Sequence, residues 1–550
     1  MKIRKILYGG LVALLSFMTV SCDDFLSEDP DNRVYLESPE YIAYLLATAY
    51  PEADIAFAEA MSDCAGDRGL DAILDDKALE QSYLWKNVVE TYQGTPSYYW
   101  FQAYAAISAA NHALEAIGEF EAAGRGDEVK EVRGEALICR AYAHFMLANV
   151  FAMPYNPATA DAELGVPYAT KPETTLNPVY ERETLAETYR LIEKDLLEGL
   201  ELVPANFEEA PAYHFTRKAA YAFASRYYLW KGGDDNFRKA IECANMVLGD
   251  VKTDDPSSLL RQLNDPNSDY LGDYYDAQTL YTSSAEPANL LLVAVVSNLY
   301  YQPYWRYGMT AVIRQTVYRN GIFGYQWAYQ TSGGYDYVIH RPLWAYYFLQ
   351  EGLNANYGTM LSSIPLLTTE EVLLNRAEAN ALLGNYSDAL IDMNTFLSKR
   401  LNKKSWTGTS ITETDVRKSF GVDTNAYPNW RETSVNLFPY FMDFKDETNL
   451  ETYSYVSAIL AMRKAEFLGT GLRWFDIRRY DIPVVHTSVT QPTETLESGD
   501  RRRACQIPDQ AQGSGIKPNP VENPIPESMR EAATKNYPFG WEFVETPNEQ

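Results

Sequence analysis

The sequence predicts a mainly α-helical fold, in which stacked helix pairs form a scaffold that carries an irregular, loop-rich lobe with short strands. Three observations predict it. Apolar residues recur at three- and four-residue steps through much of the chain, as they do in amphipathic helices. Glycine-containing turns separate consecutive helices of this kind near residues 232 and 384. Between residues 250 and 350 the helical period fades, and Tyr, Trp, Gly, Asn and Ser dominate.

The elements follow in chain order from this period. Helices are predicted over residues 38–60, 70–90, 98–120, 131–151, 184–202, 216–230, 236–248 and 370–383, with one more after Asn385. Residues 131–151 are apolar almost all round, so this helix is expected inside a bundle, with His144 as a hydrogen-bonded core residue rather than a ligand. Residues 290–296 form an aliphatic run that predicts one buried strand.

The turns between helices carry a repeat signature. In the string G-x-Y-x-x-A at residues 384–389, glycine makes the turn, the aromatic ring fills the gap and the small residue lets the helices approach. The string F-x-x-A at residues 237–240 repeats it after a glycine pair. Helix pairs of this kind cannot bury their apolar faces alone. Several degenerate pairs are therefore expected to stack into a curved, tetratricopeptide-like scaffold.

The first thirty residues predict export and a lipid anchor. A basic start and an apolar run over residues 6–20 lead to Ser21 and Cys22. This is the layout of a secretory signal, too short and too glycine-broken for a good spanning helix. A small residue followed by cysteine resembles a bacterial lipobox, in which Cys22 is lipidated and becomes the first residue of the mature chain. The alternative is an ordinary cleaved signal with an incidental cysteine.

Charge and cysteine content narrow the class of partner. The formal net charge is −28, or −31 without the three basic residues of the leader, which argues against nucleic acid and anionic lipid as partners. No later stretch approaches eighteen consecutive apolar residues, as a second membrane-spanning helix would require.

Four cysteines follow Cys22, and the sequence leaves open whether they pair or stay as buried thiols. They are Cys64, Cys139, Cys243 and Cys505.

Common catalytic spacings are absent from the sequence. There is no H-E-x-x-H zinc motif, no G-x-S-x-G elbow and no phosphate-binding glycine loop. The five histidines show no metal-ligand spacing, so neither a cofactor nor a metal is expected, although calcium stays open. Arg473 with Asp476, and Arg463 with Glu466, stand three residues apart. They are interpreted as ionic clamps between helices rather than as a phosphate site.

Residues 461–480, AMRKAEFLGTGLRWFDIRRY, resemble the C-terminal helical signature of the SusD/RagB family of outer-membrane lipoproteins. Further agreeing stretches occur in the right order: the lipobox with CDDFL, Y-x-x-I-x-x-A-N at 104–111, RGEAL at 133–137, GVPY at 165–168, residues 371–390 and QIP at 506–508. The chain departs from the family at Met462 and at Thr470-Gly471, where the family usually has Glu and Glu-Gly. The resemblance implies a non-catalytic, surface-exposed protein that captures glycans, or peptides in some members, and caps a TonB-dependent, SusC-like transporter.

Two stretches of the irregular region have the composition of a sugar-binding surface. Residues 299–308 and 323–330 mix flat rings with amide groups, which suits the apolar faces and polar rims of sugars. The candidate contacts are Trp305, Trp327, Tyr301, Tyr304, Tyr325 and Tyr329. For any single tyrosine the favoured alternative is packing of the lobe onto the scaffold, whereas at least one of the two tryptophans is expected to face ligand.

The family resemblance adds candidates from the early loops by location alone. It implies hydroxyl contacts by Asp67 and Arg68, and a further stacking contact by Tyr92 or Tyr98. The domain boundaries that follow are a signal peptide at 1–21, an acidic tether at 22–36, scaffold at 37–250, a ligand-binding lobe at 251–365, scaffold with inserted loops at 366–480 and a C-terminal coil at 481–550.

Together these observations predict a lipid-anchored protein on the outer membrane, facing the exterior, that binds an oligosaccharide without catalysis and delivers it to a transporter. Three alternatives stay open. The first is a peptide-binding member of the same family, and the second is a surface glycoside hydrolase. The third is a protein-interaction scaffold whose aromatic lobe is purely structural.

Overall fold

The computed structural model describes residues 36–175, 180–265, 274–333, 338–350, 352, 357–407, 410–420, 450–526 and 528–530. The signal peptide, Cys22 and nearly all of the acidic tether lie outside them. The helices are α1 Pro39–Leu46, α2 Ala56–Met61, α3 Lys77–Tyr83, α4 Pro96–Ala122, α5 Lys130–Phe151, α6 Leu185–Leu202, α7 Arg217–Lys231, α8 Asp234–Leu248, α9 Tyr274–Tyr281, α10 Ala311–Arg314, α11 Thr369–Leu382, α12 Tyr386–Arg400, α13 Glu413–Phe420, α14 Leu450–Phe467, α15 Arg473–Arg479 and α16 Asp509–Gly513.

The strands are short apart from two. They are β1 Gly66–Asp67, β2 Asn289–Val296, β3 Tyr307–Gly308, β4 Tyr347–Gln350, β5 Gly358–Thr368, β6 Val484–His486 and β7 Glu494–Leu496. β2, β5 and β4 form an antiparallel sheet in that order, β1 pairs with β3, and β6 pairs with β7. The predicted strand at 290–296 is confirmed as β2. Its alternate residues Leu291, Val293 and Val295 are buried, as expected of a strand that packs on a core.

Paired helices build the scaffold, as the sequence predicts. α5 is buried almost all round and lies between α4 and α6. α7 pairs with α8, and α11 with α12, and α8 and α14 pack in turn on α11. The turns between paired helices use positive φ at Gly232, Gly233 and Gly384, which glycine adopts without a steric penalty. The mainly α, tetratricopeptide-like fold is therefore confirmed.

Two predicted helices are wrong in extent. The segment 38–60 divides into α1 and α2, because the intervening chain contains Pro51, and the Asp54 carboxylate accepts the Ala56 amide at 3.0 Å. The segment 70–90 reduces to α3. Asp76 caps this helix by accepting the Leu79 amide at 2.9 Å, and Trp85, at φ 49°, ends any continuation.

Polar residues predicted in the core find partners there. His144 Nδ1 donates to the Arg140 carbonyl at 2.9 Å, and its Nε2 accepts the Ala169 amide at 3.1 Å. Burial lowers the pKa of His144 to about 3, so the ring is neutral and structural, as expected.

The four described cysteines are free, buried thiols. No helix in the described ranges is both long enough and apolar enough to span a bilayer.

Buried ion pairs tie the helices together, but their partners differ from those expected. Arg463 binds Asp476 at 3.0 Å, and Arg473 binds Asp63 at 2.9 Å. The predicted pairing within each helix is wrong, because the corner between α14 and α15 folds these helices against each other and α2 ends beside them. The interpretation as clamps between elements holds, since each guanidinium reaches a carboxylate of a different segment.

A second group of buried pairs joins α7, α11, α12 and α14. Arg226 binds both carboxylate oxygens of Glu371, at 2.6 and 2.5 Å. Arg400 bridges Glu370 at 2.9 Å and Glu466 at 2.7 Å. Because all five side chains are buried, each charge depends on its partner for compensation of lost hydration.

Removing one partner tests this dependence. Glu371→Gln should lower the free energy of unfolding by about 3–5 kcal/mol, because it leaves the Arg226 guanidinium buried without a counter-charge. Urea unfolding followed by circular dichroism measures it. The matched control is Glu187→Gln, which disrupts the exposed pair with Arg190 and should leave stability nearly unchanged. Equal effects of the two substitutions would contradict the account.

Candidate functional site

Five tyrosine rings gather on the surface of the lobe. Tyr300 lies 4.5 Å from Tyr346 and 5.6 Å from Tyr301, measured between ring centroids. Partial burial raises the pKa of Tyr300, with smaller contributions in the same direction from the phenols of Tyr275, Tyr346, Tyr304 and Tyr301. We call these five residues the tyrosine platform. They come from three segments: the start of α9, the turn Leu299–Tyr304 and the chain before β4.

The platform is open to solvent. Tyr275 is 64% exposed and Tyr346 is 45% exposed, and Tyr301 and Tyr304 are exposed to a smaller degree. Each ring offers an apolar face beside a hydroxyl group. Such a surface can stack on a flat apolar face of a ligand and hydrogen-bond to its polar edge.

A hollow of about 420 Å³ adjoins the platform through Tyr274. The ring of Tyr274 packs edge-on against Tyr275, with centroids 5.6 Å apart. Rings and polar side chains share the lining: Tyr274, Tyr318, Arg319, Gln326, Trp327, Tyr329, Gln330, Thr331, Ser332 and Pro342. The hollow thus has one wall residue that packs against a platform ring, and its lining is more polar than the platform.

Arg68 holds the turn that carries the platform. Its guanidinium donates to the carbonyl oxygens of Pro303 at 2.8 Å, Trp305 at 2.9 Å and Met309 at 3.0 Å, and also to Ile339. These carbonyls come from two segments that share no regular hydrogen-bond ladder. One half-buried side chain therefore satisfies carbonyl groups that would otherwise lack a hydrogen-bond donor.

Gln302 anchors the same turn to the scaffold. Its Nε2 donates to the Gly469 carbonyl at 2.9 Å, in the corner between α14 and α15, and its Oε1 accepts from Trp344 Nε1 at 3.2 Å. Both side chains are buried, and both are close to a platform residue in the sequence. Gln302 directly follows Tyr301, and Trp344 stands two residues before Tyr346. The scaffold thus fixes two of the three platform segments through one amide group.

Asp67 completes the support from the other side. It accepts both Nε and Nη2 of Arg306 at 2.9 Å, and it also accepts the amides of Gly69 and Val489. These bonds lower the pKa of Asp67 against the opposing effect of burial. The carboxylate is therefore charged and occupied by protein groups.

Two protein-family models match the sequence and show which family the chain belongs to. One family model, described as starch-binding associating with outer membrane, matches residues 24–229, and the model of the SusD family matches residues 298–536. Together these two stretches cover most of the sequence. The chain belongs to the SusD/RagB family. The resemblance read from residues 461–480 is thereby confirmed.

Relatives agree with this assignment. The chain is 26% identical over 354 residues to the SusD-like protein P2 of Formosa agariphila, a match that covers 58% of this chain and 66% of that protein. The match spans just under two thirds of the length of this relative.

Solved structures of the SusD superfamily share the fold. A SusD superfamily protein from Bacteroides vulgatus superposes with a TM-score of 0.58 at 16% identity, covering 88% of this chain and 99% of that one. A putative sugar binding protein from the same organism gives 0.56 at 17% identity, covering 88% and 97%. A SusD superfamily protein from Bacteroides thetaiotaomicron gives 0.55 at 16%, covering 88% and 100%.

The two tryptophans predicted to contact ligand do not expose their ring faces to solvent. Trp305 and Trp327 are each 7% exposed. Trp327 is fixed by a backbone bridge to Leu401 at the end of α12, and only part of it lines the hollow. Both rings are therefore largely covered by other parts of the protein. Their contact with ligand stays a prediction.

The predicted tyrosines divide into two groups. Tyr301 and Tyr304 belong to the platform. Tyr329 lines the hollow and donates to Glu466, while Tyr325 packs edge-on against Trp406 with centroids 4.8 Å apart. Composition placed both groups in one region and could not distinguish them.

None of the early-loop candidates belongs to the platform. Tyr92 is partly exposed and donates to the Asp76 carboxylate at 3.0 Å. Tyr98 is half-buried in the first turn of α4. Asp67 and Arg68 already use their side chains within the protein, so their positions favour a supporting role over the predicted hydroxyl contacts.

Sequence reasoning missed three members of the platform, Tyr275, Tyr300 and Tyr346, and it also missed Arg319 of the hollow; Tyr300 lies in the stretch 299–308 but was not named as a contact. Tyr275 and Tyr346 lie 25 and 46 residues from Tyr300 in the chain. The signal that could have found them is the pair of neighbouring tyrosines at 274–275 and 346–347, outside any helical stripe. Arg319 of the hollow gave no signal, because a single arginine in an irregular stretch resembles any solvated side chain.

The supporting role of Arg68 is testable by hydrogen exchange. Arg68→Lys should speed amide exchange over residues 299–309 by about tenfold, because a compact ammonium cannot reach carbonyls in several segments at once. Mass spectrometry of the exchanging protein measures it. Arg125→Lys is the control, since Arg125 is exposed and its guanidinium contacts only neighbours in the sequence, the Glu128 carboxylate and the Phe120 ring. Unchanged exchange in the Arg68 variant would show that the turn is held otherwise.

Proposed function

We propose that this protein captures oligosaccharides at the cell surface without chemically altering them and delivers them to a TonB-dependent, SusC-like outer-membrane transporter. The observation that carries the proposal is the tyrosine platform. The description of one matching family model as starch-binding supports it, as does the SusD-family membership. The platform lies within residues 251–365, the stretch proposed as the ligand-binding lobe.

The chemistry of the platform suits a sugar chain. Pyranose rings present C–H groups on their faces and hydroxyls on their rims, so rings stack on them while phenol hydroxyls hydrogen-bond at the edges. Tyr300, Tyr301 and Tyr346 meet at steep interplanar angles of 60° and 76°, which gives the surface relief instead of one flat plane. Several sugar units of a bent chain can therefore contact it at once.

The chemistry of the platform supports capture without hydrolysis. Hydrolysis of a glycosidic bond needs two carboxyl groups flanking the bond, one to donate a proton and one to attack or to activate water. None of the five platform side chains carries a carboxyl group. Binding by stacking is reversible, as delivery to a second protein requires.

The outer surface of the outer membrane is the proposed location. Cys22, within a lipobox, would carry the lipid, and the acidic stretch after it would serve as a solvated tether. The description of the family as associating with the outer membrane supports this location.

Substitution of the platform tests the binding function. Tyr300→Ala, Tyr301→Ala and Tyr346→Ala together should weaken oligosaccharide retention at least tenfold, which corresponds to about 1.4 kcal/mol, because the stacking faces are lost. Affinity electrophoresis in gels cast with a panel of polysaccharides measures it. The platform tyrosines are better probes than Trp305 and Trp327, whose truncation would open cavities in the lobe.

The matched control removes exposed tyrosines elsewhere. Tyr41→Ala with Tyr44→Ala, on α1, should leave retention unchanged. Unchanged retention in the platform variant would favour the scaffold alternative. Release of new reducing ends from the panel would favour a glycoside hydrolase, and retention of peptides in place of glycans would favour a peptide-binding member.

Replacement of the proposed anchor residue tests the location. Cys22→Ser should move the protein from the outer-membrane fraction to the soluble fraction of the cell, because the acyl chains would have no thiol to attach to. Immunoblotting of separated fractions measures it. Cys64→Ser removes a buried thiol of the body and serves as the control. Membrane retention of the Cys22 variant would contradict the lipobox.

A further inference from the structure

The hollow beside the platform differs from it in chemistry. It offers amide, hydroxyl and guanidinium groups where the platform offers phenol rings, and its volume of about 420 Å³ is that of a ligand site. Apart from the tyrosines, the polar side chains that line the hollow make no hydrogen bond or ion pair with any described part of the chain. They are Arg319, Gln326, Gln330, Thr331 and Ser332.

Its unused donors distinguish Arg319 from Arg68 and Arg306, the two arginines that support the platform. Arg68 donates to four carbonyls, and Arg306 binds Asp67 and Asp75. Arg319, by contrast, is exposed and keeps its five N–H donors for solvent or ligand. Among the described residues that line the hollow it is also the sole charged one.

This local charge opposes the charge of the whole protein. The chain carries a net −28, yet the described lining of the hollow contains one cation and no carboxylate. At 0.1 M ionic strength the field of distant charges is screened beyond about 10 Å, so the remote part of the net charge acts weakly on a ligand in the hollow, whereas Arg319 lines it directly. A guanidinium fork suits a carboxylate or a sulfate group, which it binds through two parallel hydrogen bonds.

The backbone at Arg319 is also irregular. After α10, one wide turn over Gln315–Arg319 is closed by the Asn320 amide, which donates to the Gln315 carbonyl at 2.9 Å. Single turns of this π type are rare in proteins as a whole, but many of those that occur lie at functional sites. Tyr318, just before Arg319, fixes the turn by donating to the Ala465 carbonyl at 2.8 Å. The arginine thus extends from a backbone anchored to α14.

We infer that the hollow is a subsite for an acidic sugar unit, with Arg319 binding its carboxylate or sulfate group and the neighbouring amides and hydroxyls binding its ring hydroxyls. The inference rests on the proposed glycan-binding function. It narrows the substrate class to oligosaccharides in which a chain on the platform presents an anionic unit to the hollow.

Paired oligosaccharides test the inference. One pair is oligogalacturonides and their methyl esters, which share a backbone and differ in the carboxylate charge. The other is sulfated galactan oligosaccharides and their desulfated forms. These probes are spotted in an array that also carries neutral oligosaccharides of several linkages. The wild-type protein should bind the anionic member of one pair about tenfold more tightly than its neutral partner, and the pair concerned identifies the anion as carboxylate or sulfate.

Two variants test whether Arg319 causes this preference for the anionic oligosaccharide. Arg319→Gln should abolish it, so that the anionic member of the pair binds no more tightly than its neutral partner. Arg314→Gln is the matched control, since Arg314 lies one turn earlier and does not line the hollow, and it should keep the preference. Equal binding within both pairs, or a preference that survives Arg319→Gln, would overturn the inference and leave the proposed function standing. Failure to bind any oligosaccharide of the array would overturn the proposed function itself.

Discussion

The structure depends on arginine side chains that are buried and must therefore be paired. Arg400 lies fully inside the protein between Glu370 of α11 and Glu466 of α14, and Arg226 of α7 is held by Glu371. A guanidinium in such a place is tolerated only while its carboxylates stay within reach. These pairs consequently fix the mutual positions of helices that are far apart in the sequence.

The same requirement extends from the scaffold into the lobe. Glu466 accepts the hydroxyl of Tyr329, and Arg341 donates to carbonyls at the end of α14. Gln302 reaches the corner that follows α14, and Arg68 gathers the carbonyls of the turn around it. Between β2 and β4 the lobe has little regular secondary structure, so these side-chain bonds replace the ladders that would otherwise define its shape. The platform rings can remain exposed because the chain beneath them is held by other groups.

Sequence reasoning succeeded where one period governs the chain. The helices predicted at 98–120 and 131–151 appear as Pro96–Ala122 and Lys130–Phe151, because burial of one stripe leaves a repeating apolar pattern. The lobe has no such period. Trp305 and Tyr304 are adjacent, yet one is buried and the other exposed, and composition cannot tell them apart.

Contacts between distant segments were equally beyond the sequence. Asp67 meets Arg306 across 239 residues, and Tyr346 meets Tyr300 across 46. No local signal marks either partner, since each pairing is set by how the scaffold places its loops. The location of the site in the lobe was predictable, whereas the identity of the rings that face outward was not.

The central claim is that ligand lies on the tyrosine platform. Hydroxyl-radical footprinting, with and without an oligosaccharide that the protein retains, tests it most directly, because exposed tyrosines are oxidised and covered ones are not. The account predicts that ligand protects Tyr275, Tyr300, Tyr301, Tyr304 and Tyr346 while Tyr41 and Tyr44 react as before. Protection of another surface, with the platform rings still oxidised at their free rate, would contradict it.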